Sequence, residues 1–253
     1  MAETVANHPS VENERSRPLV VLLIFASFVA LLFLVYLNFP TMTPEEKVHF
    51  KYPRNLEDAK MLGRVLSTYK EDNFYVVLSG VVVVYITLQS FAIPGSLFLT
   101  ILSGYLFPFA VAITLVCSCS AIGAMICYTI SHLFGRAFVI KRFPERIAKW
   151  QADIGQHRDD FFNYIVFLRV TPILPNWLIN IASPVLDVPL TPFFWGTFFG
   201  VAPPSFLYIQ AGSTLEQLTH TDVAWSWNSV ALLTFFAIVS ILPIYFKKKT
   251  KSD

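Results

Sequence analysis

Residues 167 to 176 read Phe-Leu-Arg-Val-Thr-Pro-Ile-Leu-Pro-Asn, one arginine and two prolines inside an apolar run. From Phe161 to Leu215 the only charged side chains are Arg169 and Asp187. A bilayer crossing takes roughly 20 apolar residues, so this run has room for more than one. Pro172, Pro175 and Pro184, with Asn176 and Asn180 among them, break the segment from Phe162 to Pro189. Backbone interrupted at membrane depth must be buried in protein or line a wet cavity, because lipid cannot satisfy its freed amides. The stretch predicts a helical membrane domain with a polar break inside it.

Working outward, a second run of the same kind precedes it. No Asp, Glu, Lys or Arg occurs from Phe74 to Phe134. Inside that run, Pro94 to Pro108 contains Pro94, Gly95, Ser96, Ser103 and Gly104, and is too short and too broken to span comfortably. The two segments share a spacing: Pro94 stands 14 residues before Pro108, and Pro175 stands 14 before Pro189. Ile93 precedes one pair and Leu174 is its counterpart before the other, and each pair leads into an aromatic-rich span. Paired Gly/Pro-interrupted segments in two halves point to an inverted repeat whose breaks meet near the midplane. The rival account is chance spacing among 16 prolines. The expected fold class is an all-α polytopic membrane protein with two re-entrant segments in an inverted repeat.

The rest of the chain agrees with a membrane protein. It has 253 residues, 55% hydrophobic and 14% charged, whereas soluble domains carry about 25% charge. A net charge of +2 leaves no basic field for nucleic acid. Residues 1–18 form a polar tail expected to be disordered. Residues 19–39 form a first span, too long for a signal core and lacking a small-residue cleavage site. Residues 40–73 are an extramembrane loop in which Leu56, Met61, Leu62, Val65, Leu66 and Tyr69 recur at helical spacing. That helix either lies on the membrane surface or is an ordinary extramembrane helix. Residues 74–246 are the membrane domain, with spans at Phe74–Ile93, Phe109–Phe134, Phe193–Gly212 and Trp227–Phe246 and a kink expected at Pro203-Pro204. Residues 247–253 form a basic tail.

Four lysines after the last span place the tail in the cytosol. Lys249 and Lys251 have the spacing of a dilysine retrieval signal of the endoplasmic reticulum, although a stop-transfer cluster alone would also explain them. Arg15 and Arg17 favour a cytosolic N-terminus too. Two cytosolic ends need an even number of crossings, so beside five clear spans one broken segment must cross. The basic loop 135–160 also prefers the cytosol, which fits if Pro94–Pro108 completes a crossing.

Arg169 carries the most chemical information. An arginine in an apolar sequence is expensive and faces a partner or a watery cavity. Its fork suits a phosphate, so one reading is contact with a lipid headgroup. The other is a structural clamp on the broken loop, with Asp187 as a candidate partner. Gly135-Arg136 ends a span, where interfacial snorkelling is the expectation. Cys117, Cys119 and Cys127 lie in an apolar run with no ligand spacing, so packing is expected and neither metal nor cofactor. Ser96, Ser103 and Ser205 have no His or Asp near them in sequence, His132 reads as structural, and nucleophile-elbow, zinc-protease and phosphate-loop motifs are absent. An enzyme is not expected.

Phe91-Ala92-Ile93-Pro94-Gly95-Ser96, Leu102-Ser103-Gly104, Gly135-Arg136 and Phe167-Leu168-Arg169-x-Thr171-Pro172-x-Leu174-Pro175-Asn176-Trp177 resemble the core of the DedA superfamily, the VTT domain. Gly196 to Phe206, Ala211-Gly212 and Trp227-Asn228-Ser229 resemble the transmembrane protein 41 family within it, the B branch more than the A branch. The resemblance covers about residues 70 to 246. It implies a protein of the endoplasmic reticulum that moves phospholipids between leaflets without an energy source. It also implies work alongside vacuole membrane protein 1 in autophagosome formation and in lipid supply to droplets and lipoproteins. On this reading Gly95, Ser96, Ser103, Asn176 and Asn180 solvate headgroups while Arg169 holds the phosphate. Bacterial relatives carry membrane carboxylates near the first broken segment, where this chain has Gln89 and Ser96, which favours passive movement over proton coupling. Two rivals stay open: a proton- or ion-coupled solute transporter, for which Asp187 is the sole core carboxylate, and a scaffold that recruits partners.

Overall fold

A computed structural model describes residues 11–53, 55–155, 160–215, 231 and 234–236. Among the described residues every regular element is helical. The expected span Trp227–Phe246 lies almost entirely outside them, as do residues 1–10 and the tail with Lys249 and Lys251.

Helix α1 (Val11–Asn38) presents Leu22, Leu23, Phe33 and Leu37 with more than half of each side chain exposed. Apolar side chains bare to that extent suit lipid contact, not water. Its inner edge is fixed by Phe25 and Phe28, each edge-on to Phe91 at 5.6 Å. Pro18–Asn38 and Phe109–Arg142 are the two described helices long and apolar enough to cross a bilayer.

Helix α2 (Pro44–His49) starts on a capping box in which the Thr43 hydroxyl accepts from the Glu46 amide and the Glu46 carboxylate accepts from Thr43 N–H. The Tyr69 hydroxyl also donates to Glu46 at 2.7 Å, and this bond holds the carboxyl below its ordinary range. Helix α3 (Leu56–Lys70), capped by Asn55, buries Ala59, Leu62, Val65 and Leu66. It packs on α5, where Gly63 admits the Tyr105 ring. Protein therefore covers much of its apolar stripe.

The membrane domain follows as α4 (Phe74–Ser90), α5 (Ser96–Leu106), α6 (Phe109–Ile130), a π-helical turn (Ser131–Gly135), α7 (Arg136–Arg142), α8 (Pro144–Gly155), α9 (Phe161–Val170), α10 (Asn176–Val185), α11 (Leu190–Gly200) and α12 (Ala202–Ser213). The charged loop expected at 135–160 is therefore largely helical. The kink expected at Pro203-Pro204 is a full break: α11 ends at Gly200 and α12 restarts with both prolines in its first turn, where a missing N–H does no harm.

The two halves share a layout. A helix, a break, a short helix, a proline cap and a further apolar helix occur in each, 22 residues long in the first half and 11 in the second. Pro108 caps α6 with φ/ψ of −54/146 and Pro189 caps α11 with −64/147. Helix α6 packs on α4 as α11 packs on α9. The breaks are narrower than the sequence implies, covering 91–95 and 171–175. Ser103 and Gly104 lie inside α5, and Asn180 and Pro184 inside α10. The Ser103 hydroxyl is satisfied within α5, donating to the Leu99 carbonyl one turn back at 2.7 Å. Gly104 is there because α12 passes close: a Cβ would strike the backbone of Ile209. One apolar core gathers α3 to α6 around Leu102, Leu106 and Val116 with Ile209 of α12, and a second gathers α9 to α11 around Ile165, Ile179 and Phe193. Helix α6 serves both.

Candidate functional site

The second break and the first turns of α5, which follow the first break, enclose one cavity of about 520 Å³. Helix α5 contributes Ser96, Leu97 and Thr100, and the second break contributes Arg169 through Asn176. Tyr85 and Gln89 of α4, Ser120 of α6, and Pro204, Ser205 and Tyr208 of α12 complete its wall. Regions far apart in sequence thus converge, and the space they enclose is polar on several sides.

Arg169 sits in the last turn of α9 and is only 4% exposed. One terminal nitrogen, Nη1, donates to the carbonyl of Asn176 at 3.2 Å and to its Oδ1 at 3.1 Å. The other, Nη2, donates to Asn180 Oδ1 at 2.6 Å and Thr197 Oγ1 at 3.0 Å. The guanidinium carbon lies 5.5 Å from the centre of the Phe193 ring, a cation–π contact. Arg169 Nε and Asn180 Nδ2 are buried without a hydrogen-bond partner. Glycine at position 200 admits the arginine stem, since a Cβ there would lie 2.7 Å from Arg169 Cβ.

Among the described residues no carboxylate forms an ion pair with this guanidinium. Asp187, the partner the sequence suggests, instead makes a salt bridge with Arg136. The cause is the chain's path after α10. Asp187 adopts a left-handed φ of 58, and the Tyr128 hydroxyl holds the next carbonyl, that of Val188, at 2.8 Å. Asp187 is thereby directed to the end of the π-helical turn, where Arg136 begins α7. Arg136 is therefore an ion-pair partner.

The other predicted residues separate into two groups. Ser96, Pro172, Pro175 and Asn176 line the cavity with Arg169. Asn180 is fully buried behind it, positioning Arg169, and Ser103 and Gly104 face α12 and the core. Pro94 and Gly95 lie in the first break, outside the cavity lining: the Pro94 carbonyl accepts from Tyr52 at 2.5 Å, and Gly95 has a φ of 125 that suits glycine. The Tyr52 hydroxyl also occupies the place a Cβ at Gly95 would take. Sequence reasoning missed Tyr85, Thr100, Ser120 and Tyr208. Tyr85 hydrogen-bonds Thr100 at 3.0 Å and accepts from Ser120 at 3.2 Å, a buried hydroxyl chain on the neutral wall. The available signal was a set of hydroxyl side chains in acid-free helices, which packing residues imitate. The three cysteines are buried and free.

Residues 93–214 match the VTT domain, which takes in α5 through α12. The chain is 75% identical to the transmembrane protein 41 homolog of Caenorhabditis elegans, over 95% of this chain and 98% of that one. It is 55% identical to human transmembrane protein 41B over 94% of this chain and 82% of the relative. The figure for the Danio rerio transmembrane protein 41B is 51%, over 96% and 86%. These are names of membrane proteins, not of enzymes. No solved structure matches the chain. With such identity along nearly its whole length, and a VTT domain that holds most of the cavity lining, the chain belongs to the transmembrane protein 41 family of membrane proteins.

Proposed function

We propose that the protein is an energy-independent phospholipid scramblase in which headgroups pass through the cavity between the two breaks. The observation that carries this reading is the cation on the cavity wall. A buried guanidinium with no carboxylate beside it favours an anion that comes and goes. Serine, threonine, tyrosine and asparagine on the remaining wall offer weak, exchangeable hydrogen bonds. Passage needs such multi-site contact, since tight binding would stall it. The two breaks would act as re-entrant segments of an inverted repeat, each opening the polar path from one leaflet.

The wider reading follows from the family. The protein would reside in the endoplasmic reticulum with both termini cytosolic, and Lys249 and Lys251 would return it there. It would supply lipid for autophagosomes, droplets and lipoproteins beside vacuole membrane protein 1. Coupled transport loses ground because Asp187 is engaged by Arg136 and the cavity wall carries no acid.

The test is dithionite quenching of a fluorescent phospholipid in liposomes that hold the purified protein. Quenching well beyond the outer leaflet's half, without leakage and regardless of a pH gradient, is the expected result. Arg169→Ala and Arg169→Glu should slow it in protein that still elutes as a folded species. Quenching that stops at half would leave the scaffold and the coupled transporter as the readings to pursue, and wild-type rates in the variants would remove Arg169 from the path.

A further inference from the structure

We propose that α7 and α8 form a docking elbow for an anionic lipid surface, an interaction separate from the cavity and independent of whether lipid passes through it. The placement comes first. The continuous helix Phe109–Arg142 has 34 residues, about 51 Å at 1.5 Å per residue, against a hydrocarbon core of about 30 Å. Its far end at Arg142 therefore reaches headgroup level. Phe138 near that end is 72% exposed and Phe143 at the corner 45%. Arg142 lies over the Phe143 ring at 5.2 Å.

Helix α8 turns back from this corner and lies against the protein on one side only. Ile147 is buried, and the Gln151 side-chain amide donates to the Val185 carbonyl at the end of α10 at 2.7 Å. The opposite side carries Arg146, Lys149 and Trp150 at positions i, i+3 and i+4, all exposed. From Phe138 to the end of α8 at Gly155 the chain has four cations, Lys141, Arg142, Arg146 and Lys149, and two anions, Glu145 and Asp153. Exposed aromatic rings between basic side chains match the headgroup layer of an anionic leaflet: the rings enter the acyl boundary and the cations meet the phosphates. The contrast with α3 supports the assignment, since that helix has its apolar face covered by α5.

The experiment uses the full chain in two kinds of vesicle, pure phosphatidylcholine and a mixture containing a third phosphatidylserine. The Trp150 signal is isolated as the difference between the emission of the wild type and that of Trp150→Phe. Acrylamide quenching of this component should fall about two-fold from neutral to anionic vesicles, and added salt should reverse the fall. The double variant Arg146→Gln/Lys149→Gln should show no fall while keeping the circular dichroism of the wild type. Equal quenching in both vesicles overturns the proposal, as does a fall that persists in the double variant. Shielding that rises with the protein-to-lipid ratio and not with the anionic lipid overturns it as well, by showing that a second copy covers the elbow.

Discussion

The two breaks solve one physical problem in different ways. The first, at 91–95, is held by neutral groups. Tyr52 bonds the Pro94 carbonyl from outside the membrane domain, Gly95 supplies a φ of 125, and hydroxyls of Tyr85, Thr100 and Ser120 join one another nearby. The second, at 171–175, is held from inside by a cation that reaches Asn176, Asn180 and Thr197. Pro172 and Pro175 remove two amide donors there, and Arg169 meets one backbone carbonyl, that of Asn176, and side-chain oxygens of Asn176, Asn180 and Thr197. Arginine offers several donors on one rigid fork. The lesson is that the break with one glycine and one proline is held by a neutral hydroxyl, while the break with two prolines is held by a buried guanidinium. In the second break that side chain also leaves a positive charge on the cavity wall.

Removing the clamp should have the largest effect. Arg169→Ala strands the Asn180 and Thr197 oxygens inside the protein and should lower stability by about 3 kcal/mol, read as thermal unfolding of purified protein in detergent. Arg169→Lys keeps the charge without the fork and should fall between that variant and the wild type. Tyr85→Phe tests the neutral side. A loss as large as that of Arg169→Ala would break the asymmetry between the two walls.

Next in size are the helix crossings. A Cβ at Gly212 would strike the Ile101 carbonyl, backbone against backbone between α12 and α5. A Cβ at Gly196 would meet the Ile165 side chain of α9 at 2.8 Å. The approach at Gly212 is the closer, 1.9 Å against 2.8 Å, so Gly212→Ala should cost about 2 kcal/mol and Gly196→Ala less, on the same unfolding measurement. Equal losses would mean that α11 and α9 are as rigidly set as α12 and α5.

These contrasts show where the sequence was legible. Pro94, Pro108, Pro175 and Pro189 mark the breaks and caps because proline acts locally, and Pro203-Pro204 marked the restart of α12 for the same reason. Arg169 stood out because charge in an apolar run is rare. Its partners did not, since they depend on where the chain goes after α10. Asp187 turns with a φ of 58 at a residue that no glycine or proline announces, and so reaches Arg136. Ser103 and Gly104 look like breakers in sequence, yet they are small because α12 passes at backbone distance, a fact of tertiary structure. Tyr85, Ser120 and Tyr208 carry no period or motif, and only the convergence of α4, α6 and α12 makes them one wall.

The smallest expected effect sharpens the comparison most directly. Tyr52 is 40% exposed, so its hydrogen bond to Pro94 competes with water, and Tyr52→Phe should reduce stability by only about 0.5 kcal/mol. Local opening is the better measure, because a strap at the edge of a helix controls fraying more than global unfolding. Hydrogen exchange in the first turn of α5, Ser96 to Leu99, should quicken in Tyr52→Phe while the first turn of α10 keeps its wild-type protection. Arg169→Lys should do the reverse, loosening Asn176 to Ile179 and sparing α5. If either variant loosened both turns, the breaks would be one cooperative unit across the cavity, and the neutral strap and the charged clamp would be two ends of a single latch.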